Sequence, residues 1–138
     1  MSDKRPDPRK ALVVLDVDHV QGAFELVLVN LGTDTAHDIR VDFSRRVIGA
    51  GDTVVTDLPV FQRLRTLRPG KELRVFVDSA VALFRRRKSN VFGSVVTWRD
   101  ARGEAHKASY RHDLDAYRGF PERLQPRQSG TEAEQTIP

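Results

Sequence analysis

Apolar residues run almost without interruption from Phe24 to Val29. After a polar break, Ile39, Val41 and Phe43 alternate with Asp38, Arg40, Asp42 and Ser44. The continuous run predicts a strand buried on both faces or crossing the centre of a sandwich. The alternating stretch predicts a strand with one face on a core and one in water. Asn30, Gly32, Thr33 and Asp34 lie between them and carry turn chemistry, with Gly32 the residue most able to take positive φ and Asn30 expected to hydrogen-bond the turn backbone.

The same reading extends along the chain. Residues 11–18 predict a strand, and His19 to Gly22 a turn. Arg45 to Asp52 has loop character. Residues 57–68 read equally well as a helix begun at Asp57 and Pro59 or as a strand, because short apolar runs are poorly resolved by period. Leu67-Arg68-Pro69-Gly70 matches a type II turn and leads into a strand from about Glu72 to Val77. Ser79 to Lys88 reads as a helical turn capped by Ser79 or as a long loop. Val91 to Trp98 and Ala105 to His112 predict two strands joined by a hairpin at Asp100 to Glu104. Six strands, with 57–68 as a seventh, predict an all-β protein: an antiparallel immunoglobulin-like β-sandwich of six to seven strands over residues 11–119. Residues 1–10 are expected to be a disordered arm, and 120–138 a disordered tail or a strip on the surface.

Composition narrows the chemistry. The 138 residues are one domain's worth, and 23 Lys+Arg against 19 Asp+Glu leave a charge of +4, which favours solubility and weak attraction to polyanions. With no cysteine, disulfides, thiolate metal sites and cysteine nucleophiles are excluded. The opening MSDKRPDPRK has no signal-peptide core, and no apolar stretch is long enough to span a bilayer, so a cytoplasmic protein without a membrane partner is expected.

Catalytic motifs are absent from the sequence. No P-loop, G-x-S-x-G or G-x-G-x-x-G occurs, and Ser94 has no evident base beside it. The four histidines show no recognised ligand spacing; His112 with Asp113 and Asp115 is the best metal candidate, against the plainer reading of solvated strand-end residues. No catalytic residue, cofactor or metal is therefore assigned. Trp98 is expected to fill core space, with Tyr110 packing across from it. The feature that stands out is basic. Arg85, Arg86, Arg87 and Lys88 are consecutive and are expected to fan into water, where they can meet phosphate or an acidic partner. Arg63, Arg65 and Arg68 form a second run that extends the patch if both loops lie at one end. No aromatic interleaving marks a stacking surface for single-stranded nucleic acid.

The string from Leu28-Val29-Asn30-Leu31-Gly32-Thr33 through Ala36, Ile39, Val41 and Phe43, followed by the Leu67-Arg68-Pro69-Gly70 turn, resembles bacterial immunoglobulin-like and fibronectin-like accessory modules of the CARDB kind. The resemblance covers roughly residues 11 to 115. It lacks the acidic-Asn-Asn ending of extracellular members, and stand-alone bacterial proteins look like a closer match. It implies a sandwich fold and is nearly silent on function. The expected function is a non-catalytic protein-interaction module with a protein partner. A polyanion- or nucleic-acid-binding domain using the basic loops, and an enzyme with an unrecognised site, are the alternatives.

Overall fold

The computed structural model describes residues 10–86, 88–118, 128–129 and 131–137. Residues 1–9 of the arm expected at 1–10, and residues 119–127, 130 and 138, lie outside the described residues. Among those described, nine strands build two antiparallel sheets: β1 (Val13–Val20), β2 (Ala23–Asn30), β3 (Ala36–Phe43), β4 (Leu64–Leu67), β5 (Glu72–Ser79), β6 (Val91–Arg99), β7 (Ala105–Asp113), β8 (Gln128–Ser129) and β9 (Thr131–Ile137). One sheet has the order β5-β2-β1-β8 and the other β4-β3-β6-β7-β9. The protein is an all-β sandwich.

Alternation explains the packing. Val13, Leu15 and Val17 of β1 and Phe24, Leu26 and Leu28 of β2 are buried on the inner face of the first sheet. Ile39, Val41, Val96 and Ala108 are buried in the second. Val27 faces the other side of β2 yet is only 3% exposed, as the unbroken apolar run predicts for a strand with neighbours on both sides. In β3 the period-2 pattern holds from Ile39 onward. Ala36 also faces inward, because a bulge between His37 and Arg40 places Asp38 at φ +49.

The break between β2 and β3 carries the chain from one sheet to the other, and Asn30 fastens it. Asn30 is fully buried; its Oδ1 accepts from Gly32 N at 2.9 Å and Leu12 N at 3.1 Å, and its Nδ2 donates to Asp34 O at 2.8 Å and Leu67 O at 2.9 Å. Its main chain closes the same end, with Gly70 N donating to Asn30 O at 2.8 Å. Gly32 corrects an expectation. It lies outside the positive-φ region, and glycine is required because a Cβ there would sit 1.9 Å from Lys10 O and 2.7 Å from Leu12 N. Gly70 does adopt φ +76, as a type II turn demands.

Residues 57–68 prove to be both alternatives in succession: a short helix α1 (Pro59–Gln62) with proline at its first turn, then edge strand β4. Of the two readings of Ser79 to Lys88 the structure shows the helical one: helix α2 (Ala80–Arg85) is capped by Ser79, whose Oγ accepts from Ala82 N at 3.1 Å. Beyond residue 119, where a disordered tail or surface strip is expected, β8 pairs with β1 and β9 with β7. Edge strands are held by backbone hydrogen bonds, so the polar sequence TEAEQTI needs no apolar pattern to join the sheet. Among the described residues no helix is long and apolar enough to cross a membrane.

A candidate basic cleft

The end of the sandwich opposite Asn30 opens into a cleft of ≈ 480 Å³ between the β3–β4 connection and the α2–β6 connection. Each wall arises from a local necessity. On one side β3 ends and Arg45, Arg46, Val47 and Ile48 turn over the sheet end, anchored where Gly49 packs so close to Val77 O that a Cβ would lie 2.2 Å from it. On the other, α2 must stop and feed β6, and Asp115 sets that corner by accepting from Asn90 N and Nδ2, each at 3.0 Å. Burial opposes ionisation of Asp115, but these bonds and Arg118 hold its carboxyl below the ordinary carboxylate range. The floor is apolar, built of the buried Leu83, Phe92 and Leu114, and beside it Val47 and the exposed Ile48 present apolar surface to the cleft.

Four cations line this cleft, Arg45, Arg46, Arg86 and Lys88, with Asp52 the acidic residue among the lining. They fall into two kinds. Arg45 donates from the first wall to Ser89 O on the second. Arg86 reaches the opposite way, donating to Ile48 O and, at 3.2 Å, to Gly49 O, and pairing with the buried Asp78 at 2.5 Å. These two are struts. Arg46 meets Asp57 at only 4.0 Å and is 76% exposed, while Lys88 is exposed.

The four-residue basic run therefore needs correction. Arg85 is exposed, but Arg86 does not fan into water; three of its five N–H donors are drawn onto two carbonyls and a carboxylate. Arg87 lies outside the described residues. Arg63 and Arg65 are exposed on and beside edge strand β4, and Arg68 is exposed in the turn at the Asn30 end, so the second run does not extend the patch. Its place is taken by Arg45 and Arg46, at the start of the stretch expected to be a loop. Their signal was an Arg-Arg pair directly after a strand end.

Residues 2–118 match a family described as a domain of unknown function, DUF8453. The chain belongs to that family. No curated protein and no solved structure matches it.

Among the described residues of this DUF8453 domain, polar clusters at Ser94 and at Asp100 bear on the sequence-based expectations. Ser94 does have a basic neighbour: His112 Nε2 lies 2.7 Å from Ser94 Oγ, reached diagonally across the β6–β7 pair. The pair is sealed in the core, and burial pushes the His112 imidazole down to about 4, so it is neutral and able to accept from the hydroxyl. This satisfies two buried polar groups. Among the described residues the ligand atoms of His112, Asp113 and Asp115 do not come together as a metal-sized group.

At the opposite end Asp100 organises the β6–β7 hairpin. Its Oδ1 accepts from Arg102 N at 2.9 Å and Glu104 N at 3.0 Å, and its Oδ2 meets His106 Nε2 at 2.8 Å. The His106 bond, with burial working against it, holds Asp100 down to about 2. Ligand atoms of Asp100, Glu104 and His106 lie within 4.8 Å of one another, but Asp100 is already engaged by the turn and Glu104 pairs with Lys10 at 3.8 Å. Trp98 is buried in the core, stacked on His106 rather than facing Tyr110. Tyr110 instead spans the two sheets and donates to Val13 O at 3.1 Å, and burial pushes its hydroxyl up to about 12.

Proposed function

We propose that this domain is a non-catalytic protein-interaction module of the bacterial cytoplasm, with an immunoglobulin-like strand plan, and that the basic cleft is its contact surface. The observation that carries the reading is the unequal use of charge at one end of the sandwich: Arg45 and Arg86 are spent on bridging the walls, while Arg46 and Lys88 stand at the rim over an apolar floor. An apolar centre with a charged rim is the usual anatomy of a protein contact.

The sheet edges offer less. Strand β4 is short and carries Arg65, and β5 bears a bulge and has the Gly49 loop packed on Val77, devices that discourage edge pairing. The resemblance to immunoglobulin-like accessory modules agrees with a binding role but names no partner.

The same rim cations favour a second reading, contact with a nucleic-acid backbone. Affinity capture from cell extract separates the two. A protein partner retained by the wild-type domain at high salt, and lost with Arg46→Glu/Lys88→Glu, supports the module. Capture that vanishes above a few tenths molar salt, or on nuclease treatment, points to polyanion binding. Capture unaffected by the double substitution overturns the assignment of the cleft.

A further inference from the structure

Resting on that reading of the cleft, we infer the chemistry of its partner: an acidic peptide segment in which a large apolar side chain is flanked on both sides by carboxylates. The argument is one of placement. Arg46 belongs to the β3–β4 wall and Lys88 to the α2–β6 wall, and the floor of Leu83, Phe92 and Leu114 lies between them. Neither cation is tied down: Arg46 has a carboxylate only at 4.0 Å, and Lys88 is exposed without a hydrogen bond or ion pair among the described residues.

A ligand that satisfies both walls must carry negative groups on either side of whatever enters the cleft. Isolated phosphate or a simple carboxylate meets one wall and leaves the accessible apolar lining in water, Ile48 at 40% exposure and the half-buried Val47 beside the floor. A uniform polyanion meets both rims but has nothing to bury on the floor. An acidic–apolar–acidic segment meets all three, since burying one leucine- or phenylalanine-sized side chain contributes about as much as a tenfold or larger gain in affinity. The cleft volume of ≈ 480 Å³ accommodates such a side chain with the adjoining backbone.

The struts add selectivity. Arg45 and Arg86 hold the walls apart at fixed spacing by bonding to carbonyls of the opposite wall, so the cleft is formed before a partner arrives. A preformed site loses less ordering entropy on binding than one assembled by the ligand.

The test titrates the full chain by calorimetry with synthetic capped peptides. The reference peptide has adjacent leucine and phenylalanine flanked by aspartates; controls replace both apolar residues with serine, replace the aspartates with asparagine, or are polyglutamate. A short DNA duplex serves as a separate ligand. The inference predicts that the reference peptide binds, that either the serine or the asparagine version binds about tenfold more weakly or worse, and that Arg46→Glu/Lys88→Glu abolishes the difference while its melting curve matches wild type. Polyglutamate or duplex binding as tightly as the reference peptide overturns it, because the floor would then be unused. Absence of peptide binding overturns it as well. In that event a rim-dependent protein capture still sustains the module reading, whereas failure of both experiments removes both.

Discussion

The two ends of the sandwich use polar residues in opposite ways. At one end Asn30 is completely buried and each of its side-chain hydrogen bonds ends on the backbone of this same chain, reaching Leu12, Gly32, Asp34 and Leu67. At the other end Arg46 and Lys88 are left facing outward while Arg45 and Arg86 close the frame around them. The first end is finished by folding. The second retains unspent charge, and that difference, rather than the number of arginines, marks the cleft as the place to look for a partner.

The largest effects are expected at the closed end and in the core it seals. Asn30→Leu places an apolar side chain in a fully buried polar site and leaves two part-buried N–H groups and the buried Leu67 carbonyl without their partner, and urea unfolding should show a loss of about 3 to 5 kcal/mol. Ile39→Asp, which places a charge in the core, belongs in the same class, whereas Arg40→Ala on the outer face should stay within about 0.5 kcal/mol. Near-equal losses for Ile39→Asp and Arg40→Ala would mean that the register of β3 is misassigned. Gly32→Ala and Gly70→Val separate two reasons for glycine. The first collides with Lys10 O and should cost at least about 2 kcal/mol; the second is set in open space at φ +76 and should cost about 1 to 3 kcal/mol through backbone strain alone.

Intermediate in size is a pH effect between the two ends, at Ser94 and His112. The folded His112 is held down to about 4 by burial, below its ordinary value near 6.5, so between those limits the unfolded chain binds more protons than the folded one. Stability contributed by keeping His112 neutral is complete above about 6.5 and falls as the pH drops toward 4, by up to about 3 kcal/mol. Thermal melts from pH 7 to pH 4 should show this decline, and His112→Gln should flatten it. An unchanged slope in His112→Gln would assign the acid sensitivity elsewhere.

The contrast within the basic run itself pairs a held cation with a free one. Arg86→Ala leaves the buried Asp78 carboxylate without its partner and should destabilise by about 2 to 4 kcal/mol, while Lys88→Ala should stay within about 0.5 kcal/mol. Chemical denaturation of the two variants side by side is sufficient. If they behave alike, Arg86 is not a strut and the two-kinds account of the cleft fails.

What could be read from the sequence follows from which forces are local. Period-2 alternation placed the strands, because Ile39, Val41 and Phe43 answer to the pleat and to nothing distant. Pro69-Gly70 and Ser79 announced a turn and a helix cap for equally local reasons. Gly32 was noticed for the wrong reason: its crowding comes from Lys10 and Leu12, and chain crossings of that kind leave no trace in the neighbouring residues. The fate of Arg86 was hidden too, since Ile48, Gly49 and Asp78 come to it only through the fold. Ser94 and His112 meet across a strand pair whose register could not be counted from either strand alone. Strand β9 escaped because backbone pairing at an edge requires no hydrophobic pattern.

The central claim is that the open end, and not the closed end, receives a partner. Backbone amide shifts of the isotopically labelled full chain, followed as the leucine–phenylalanine peptide flanked by aspartates is added, test it most directly. The account predicts perturbations gathered on the cleft walls, from Arg45 to Asp52 and from Leu83 to Phe92, together with Leu114, and none around Asn30, Gly32 and Gly70. Shifts centred on the Asn30 end or along the β4 and β5 edges, or a spectrum that does not change, would contradict it.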